Sequence, residues 1–312
     1  MITKSAQNTS NLTKGLTFTR SARSAWKLII ESVAKEHGHA SILLPAYIGF
    51  TEREGSGIFD PVEATKAEYN FYSLNEDLSI NFESFSELIG TGEYNIAFVV
   101  HYFGFCRNNV AKIKSLCKAN NVIFVEDCAH AFQLGLRSES LGIMGDFSIY
   151  SLHKHLPTDT GGILRDLSRS TELLALPDED KISYDASLQL LNSDLEAIAA
   201  KRRDNFIYYS AALEGVDGLQ VMYTLNEDEV PQTFPVRVKN KLREPLYFYL
   251  MEKQIPTIAL YYRLIDNLDA NSYPLSHTIS REILNLPVHQ DITQDDTAII
   301  MREMKKFMEG RT

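Results

Sequence analysis

Apolar positions follow two different spacings along this chain. Ile42 to Leu44, Ile96 to Val100 and Val122 to Val125 are short, unbroken apolar runs, the pattern of strands covered on both faces. Val110, Ile113 and Cys117 recur at helical spacing between two of these runs, and Trp26, Ile29, Ile30 and Val33 do so near the start. Strand, helix, strand in that order predicts βαβ units and a mostly parallel sheet, whose ligands gather beyond the carboxyl ends of the strands. His101, Asp127 and the turn before Lys154 are expected to emerge along that edge. Further on, the pattern is helical from Ser187 to Leu213. A strand (Thr233 to Val238), a helix (Arg243 to Lys253), a strand (Ile283 to Leu286) and a helix capped by Thr293 and running to Met308 then follow. The expectation is an α/β protein with a large domain over 1–200 and a smaller C-terminal α/β domain over 201–312.

Composition narrows the function more than the fold. A chain of 312 residues, 44% hydrophobic, can bury the cores of one large and one small domain. Its formal charge of −10 and lack of a basic stripe argue against nucleic acid and anionic membranes as partners, because phosphate contacts demand clustered Lys and Arg. MITKSAQNTSNLTKG has no apolar stretch of signal-peptide length, and no run of eighteen apolar residues occurs, so a cytoplasmic protein without membrane insertion is expected. Cys106, Cys117 and Cys128 lack CxxC spacing; they predict neither disulfides nor a zinc site, and read as small buried fillers.

Candidate chemistry lies in two segments. SLHKHLPTDTGG, from Ser151 to Gly162, mounts Lys154 after a short apolar strand, followed by a proline turn and a Gly-Gly pair. A carbonyl-capturing amine needs such a rigid mount with room for a flat ligand. Upstream, FVEDCAHAF from Phe124 to Phe132 puts an acidic pair at the end of a buried strand. Together the segments fit pyridoxal 5′-phosphate chemistry. Asp127 would keep the pyridine nitrogen protonated, while Lys154 bonds the aldehyde and shuttles the proton. The helix behind Ser21 to Ser24 presents its N-terminus to that loop, as an anion site or as an ordinary capped helix.

From Phe18 to Met308 the chain resembles the DegT/StrS family of sugar aminotransferases, within the aspartate aminotransferase fold. The ordered motifs FTRSARSAW, ILLPAYIGF, VVHYFGF, VEDCAHAF, LGIMGDFSIYSLHKHLPTDTGG and EILNLPVHQDIT carry the likeness. The resemblance implies Lys154 as the catalytic lysine and Asp127 at the ring nitrogen. His130 would sit at the cofactor's phenolic oxygen, unless it is a packed core histidine. Ser21, Ala22 and Arg23 stand, with Ser24, where the family has its phosphate loop, and Ser148 and Ser151 compete as the strand-borne phosphate ligand. Tyr47 and Phe50 are candidates to cover the ring, although Gly49 aligns more directly and both aromatics also suit a core. His101 is either a prop for Asp127 or a packed strand-end residue.

The implied reaction moves an amino group from an amino acid, by resemblance glutamate, to a nucleotide-linked keto sugar in polysaccharide or natural-product sugar biosynthesis. One family branch replaces the lysine with histidine and dehydrates its sugar instead; here SLHK resembles a branch carrying SLRK, which makes His153 the neighbour and Lys154 the lysine. A dehydratase, or an inactive cofactor-binding regulatory or scaffold protein, are the alternatives. The chain is also short between Gly162 and RRDN and lacks a G-x-N-x-R segment. In relatives that segment crosses a homodimer interface to the partner's phosphate. A homodimer is expected here, with Arg23 or the Ser187 to Ala200 stretch replacing the crossing asparagine.

Overall fold

The computed structural model describes residues 15–50, 57–131, 141–167 and 171–311. The N-terminal stretch before Gly15 and the Phe132 end of the second motif lie outside these residues. Strands β1 (Leu16–Thr19), β2 (Ser41–Pro45), β3 (Glu68–Tyr72), β4 (Ile96–Val100), β5 (Ile123–Asp127), β6 (Phe147–Ser151) and β7 (Gly162–Asp166) form a seven-stranded sheet in the order β1-β7-β6-β5-β4-β2-β3. Only β7 runs against the others. Every residue of β2, β4 and β5 is buried, which is why these strands read as continuous apolar runs.

Helices α1 (Ala22–His37), α2 (Asp60–Thr65), α3 (Phe82–Gly90) and α4 (Val110–Ala119) connect the first five strands. Helix α1 starts where the Ser21 side chain accepts the Ser24 N–H, and ends at Gly38, whose φ of 80° needs a residue without a Cβ. Helix α4 turns the chain between β4 and β5, giving the βαβ crossover that its apolar spacing predicts.

The single helix expected from Ser187 to Leu213 is instead two, α5 (Tyr184–Asn192) and α6 (Leu195–Leu213). Asp194 causes the break: its carboxylate accepts the Ala197 N–H at 3.0 Å and caps a new helix, a local bond that competes with continuing the old one. A domain boundary at residue 200 would therefore fall inside α6.

Strands β8 (Leu219–Val221), β9 (Thr233–Val238) and β10 (Ile283–Pro287) make an antiparallel sheet ordered β10-β9-β8. Helices α7 (Arg243–Glu252), α8 (Pro274–Glu282) and α9 (Gln294–Glu309) accompany it. Thr293 caps α9 in a reciprocal box with Asp296. Aromatic contacts tie the two sheets together, among them Phe105 against Tyr223 and Phe206, with ring centroids 4.6 and 5.4 Å apart. A smaller apolar cluster of Cys128, Ala131, Tyr150, Leu152, Leu156 and Ile163 packs around the ends of β5 and β6 and the segment after Ser151.

Candidate active site

Beyond the carboxyl ends of β4, β5 and β6 lies a cavity of about 360 Å³. Ser21, Ala22 and Arg23 form one wall, Asp127 and His130 another, and Ser151, His153 and Lys154 a third. Three stretches distant in sequence thus converge, as the parallel topology requires.

Alternation along β5 and β6 decides which side chains reach the cavity. On β6, Ile149 and Ser151 line it, whereas Ser148 points to the other face and donates to the Gly142 carbonyl at 2.6 Å. Of the two competing serines, therefore, only Ser151 meets the cavity, with its hydroxyl 3.0 Å from His153 Nδ1. On β5 the same rule sends Asp127 into the cavity and Glu126 away from it.

The Asp127 carboxylate accepts the Ala129 N–H at 2.8 Å. Burial raises its pKa, and Ala129, Lys154 and His101 only partly oppose that. Burial also lowers Lys154 to about 8, with Asp127 resisting and Arg23 assisting the shift. The lysine is thus an amine that sheds its proton near neutral pH, the condition for attack on a carbonyl.

His130 Nδ1 accepts the Phe103 N–H at 3.0 Å, so the ring proton sits on Nε2. Burial first, and then Lys154, hold this imidazole well below its usual pKa and keep it neutral. The Phe103 ring stacks on it with centroids 5.9 Å apart. His130 is consequently a fixed neutral donor in the cavity wall.

Three sequence candidates stand elsewhere. His101 is fully buried, and its Nε2 is 3.0 Å from Glu126 Oε2; the side-chain hydrogen bond goes to that carboxylate, while the His101 backbone N–H donates to the Asp127 carbonyl at 3.1 Å. Tyr47 is buried among Tyr102 and Tyr261, with centroids 5.5 and 5.1 Å away, outside the cavity lining. Phe50 also lies outside the lining, beneath the Arg263 guanidinium at 4.7 Å. The aromatic walls are instead Trp26, Phe98 and Tyr261. Trp26 had the spacing of a core residue, and it does pack on Phe98 at 4.4 Å while also facing the cavity. Tyr261 arrives from beyond β9 on a backbone with φ 62°, and no local motif signals it.

The sequence profile of the DegT/DnrJ/EryC1/StrS aminotransferase family matches residues 70–169 and 187–305. The chain belongs to that family. It is similar to a dTDP-3-amino-3,6-dideoxy-alpha-D-galactopyranose transaminase from Aneurinibacillus thermoaerophilus, 24% identical over 241 residues. That match spans 67% of this chain and 64% of the relative's length. Among solved structures, the aminotransferase TlmJ from Streptoalloteichus hindustanus superposes with a TM-score of 0.77 at 20% identity, covering 96% of this chain and 89% of that one. The sugar aminotransferase CalS13 from Micromonospora echinospora gives a TM-score of 0.75 at 16% identity, covering 93% and 87%. These likenesses show a shared fold.

Pyridoxal 5′-phosphate is the cofactor of this family, and the cavity fits it. A buried carboxylate whose pKa is raised by burial suits a protonated ring nitrogen as its partner. The first turn of α1, the positive end of the helix dipole, suits a phosphate. Gly162 lets that turn come close, since a Cβ there would stand 2.3 Å from the Ser21 carbonyl carbon.

Proposed function

We propose that this protein is a pyridoxal-phosphate-dependent transaminase of the cytoplasm, moving an amino group from an amino acid such as glutamate to a nucleotide-linked keto sugar in polysaccharide or natural-product sugar biosynthesis. The observation that carries this reading is the convergence of Lys154, Asp127, His130 and the Ser21 turn on one cavity. When bound, pyridoxal 5′-phosphate supplies an aldehyde to take up the amino group and a ring that withdraws electrons from the substrate carbon. Asp127 holds the ring nitrogen protonated, and His130 donates from Nε2 to the phenolic oxygen. Ser151 and the α1 turn bind the phosphate. Lys154, an amine near pKa 8, takes the proton from the amino acid's Cα and returns it. An amine in this place supports transamination over the dehydrating branch, which has histidine there.

Assembly as a homodimer belongs to the same reading. Tyr184, Leu188 and Leu191 fall at i, i+4 and i+7 on α5, and Tyr184 and Leu191 are 77% and 79% exposed. Thr160 of the cavity wall contacts Ser183, the cap of that helix, at 3.1 Å, so an apolar face lies next to the site. Sedimentation of wild type against Leu191→Lys tests this; a wild type that is monomeric at micromolar concentration while fully active refutes it.

Two experiments test the chemistry. Borohydride reduction of the yellow holoenzyme, followed by peptide mapping, should place the pyridoxyl group on Lys154; a label on another lysine refutes the assignment. The pyridoxamine-phosphate form should then transfer its nitrogen to one of a panel of nucleotide-linked keto sugars. Lys154→Ala should bind the cofactor without turning over.

A further inference from the structure

Arg23 is the second residue of α1, where a cation faces the positive end of the helix dipole. No acidic residue occupies that first turn to offset it. Its anchor is Asp60, the first residue of α2, whose Oδ2 lies 3.3 Å from the guanidinium Nε. Among the described residues the terminal nitrogens of Arg23 have no hydrogen-bond partner.

Gly57 is shaped to this side chain. A Cβ on Gly57 would stand 1.8 Å from Arg23 Nε and 2.5 Å from both Cγ and Cδ, so the arginine stem fills the space where any other residue's side chain would begin. Arg23 and Gly57 both line the cavity alongside Ser151 and Lys154. Gly57 and Asp60 together fix the guanidinium at the edge of the turn whose N–H groups await an anion. Arg23, Gly57 and Asp60 all lie outside the stretches that the family profile matches.

We propose that Arg23, anchored by Asp60 and seated against Gly57, completes the phosphate subsite from within one chain, in place of a residue lent by a partner subunit. This rests on the pyridoxal-phosphate reading of the cavity. A guanidinium with its Nε engaged still offers its two terminal amino groups, enough to take two oxygens of a phosphate dianion. The phosphate then meets a full positive charge, the α1 turn and the Ser151 hydroxyl, all from a single copy.

The test compares pyridoxal 5′-phosphate with pyridoxal, which lacks only the phosphate, in absorbance titrations of the apoprotein. Arg23→Gln should weaken pyridoxal 5′-phosphate binding about ten- to hundredfold, the effect of losing hydrogen bonds to a charged group, and pyridoxal binding far less, through the firmer hold of Lys154 on its proton once the guanidinium is gone. Arg23→Lys should restore part of the loss. Gly57→Ala should reproduce it in the same phosphate-selective way by displacing the guanidinium, and Asp60→Asn should give a smaller loss. Wild-type affinity should not change on dilution across the range where sedimentation detects subunit dissociation. The proposal is overturned if Arg23→Gln binds both compounds like wild type, if it loses affinity for both equally, or if wild-type affinity collapses as subunits separate. A wild type that binds neither compound overturns the pyridoxal-phosphate reading itself, an outcome distinct from failure at Arg23 alone.

Discussion

Glu126 and Asp127 are adjacent carboxylates on one buried strand, yet they live under opposite electrostatic rules. Glu126 Oε2 pairs with His101 at 3.0 Å and accepts the Gly142 N–H, while Oε1 accepts the N–H groups of Met144 and Gly145. Burial alone would raise its pKa; hydrogen bonds and charge from His101, with help from Gly145 and Gly142, overcome that and hold it below the usual carboxylate range. Among the described residues Asp127 has one backbone donor, and its pKa is raised. The saturated carboxylate is structural, and the under-satisfied one faces the cavity with capacity left for a ligand. Perturbation by itself does not mark a functional group; the number of bonds still to be made does.

The sharpest way to break this contrast is Glu126→Gln. It strips a buried ion pair of one partner and should cost about 3–5 kcal/mol of stability, read by urea unfolding. The pH dependence has a definite sign. With its folded pKa depressed, Glu126 stabilises the fold above its unfolded pKa and loses that contribution as pH falls through the folded value. Asp127, with a raised pKa, is penalised while charged, so Asp127→Asn should leave unfolding at neutral pH unchanged or slightly more difficult. Equal destabilisation by the two substitutions would erase the distinction.

Next in size is the effect on chemistry. Asp127→Asn keeps the shape and removes the charge, and should slow the proton-transfer half-reaction about 10²- to 10³-fold, measured in single turnovers. Near-normal rates would remove Asp127 from the ring nitrogen. A smaller effect belongs to Lys154. Capture of pyridoxal 5′-phosphate by the apoprotein should accelerate as pH rises toward about 8 and level off above it, because only the neutral amine attacks. In Asp127→Asn that midpoint should move lower, since Asp127 is the group opposing deprotonation. The smallest change is expected for Ser148→Ala, which removes one buried hydrogen bond to Gly142; stability should fall by about 1 kcal/mol with cofactor affinity intact. Lost affinity would return Ser148 to the phosphate.

Where the chain's own periodicity sets an element, the sequence was readable: β4 spans the residues that its apolar run marks, and β9 spans the strand expected from Thr233 to Val238. The motifs SLHKHLPTDTGG and FVEDCAHAF singled out Lys154 and Asp127, and parallel topology placed both along one edge of the sheet. Period-two alternation on β6 also separates Ser151 from Ser148, once the strand is known to begin at Phe147. The partners of Glu126 were not legible, because three of them are backbone N–H groups in a loop. Tyr261 was hidden for a related reason: its place in the wall depends on packing among Tyr47, Tyr102 and Phe103, not on any local pattern.

The turn that carries Lys154 is braced from far downstream. Arg202 donates to the Lys154 carbonyl at 3.2 Å, and Gln290 to the His155 carbonyl at 3.3 Å. During synthesis the lysine and the Asp127 carboxylate emerge long before those braces exist. A growing chain thus has the reactive groups before it has the geometry. The cavity is therefore finished only after Gln290 has been made, and truncation before that residue would leave Asp127 and Lys154 in the chain with a slack mount for the lysine.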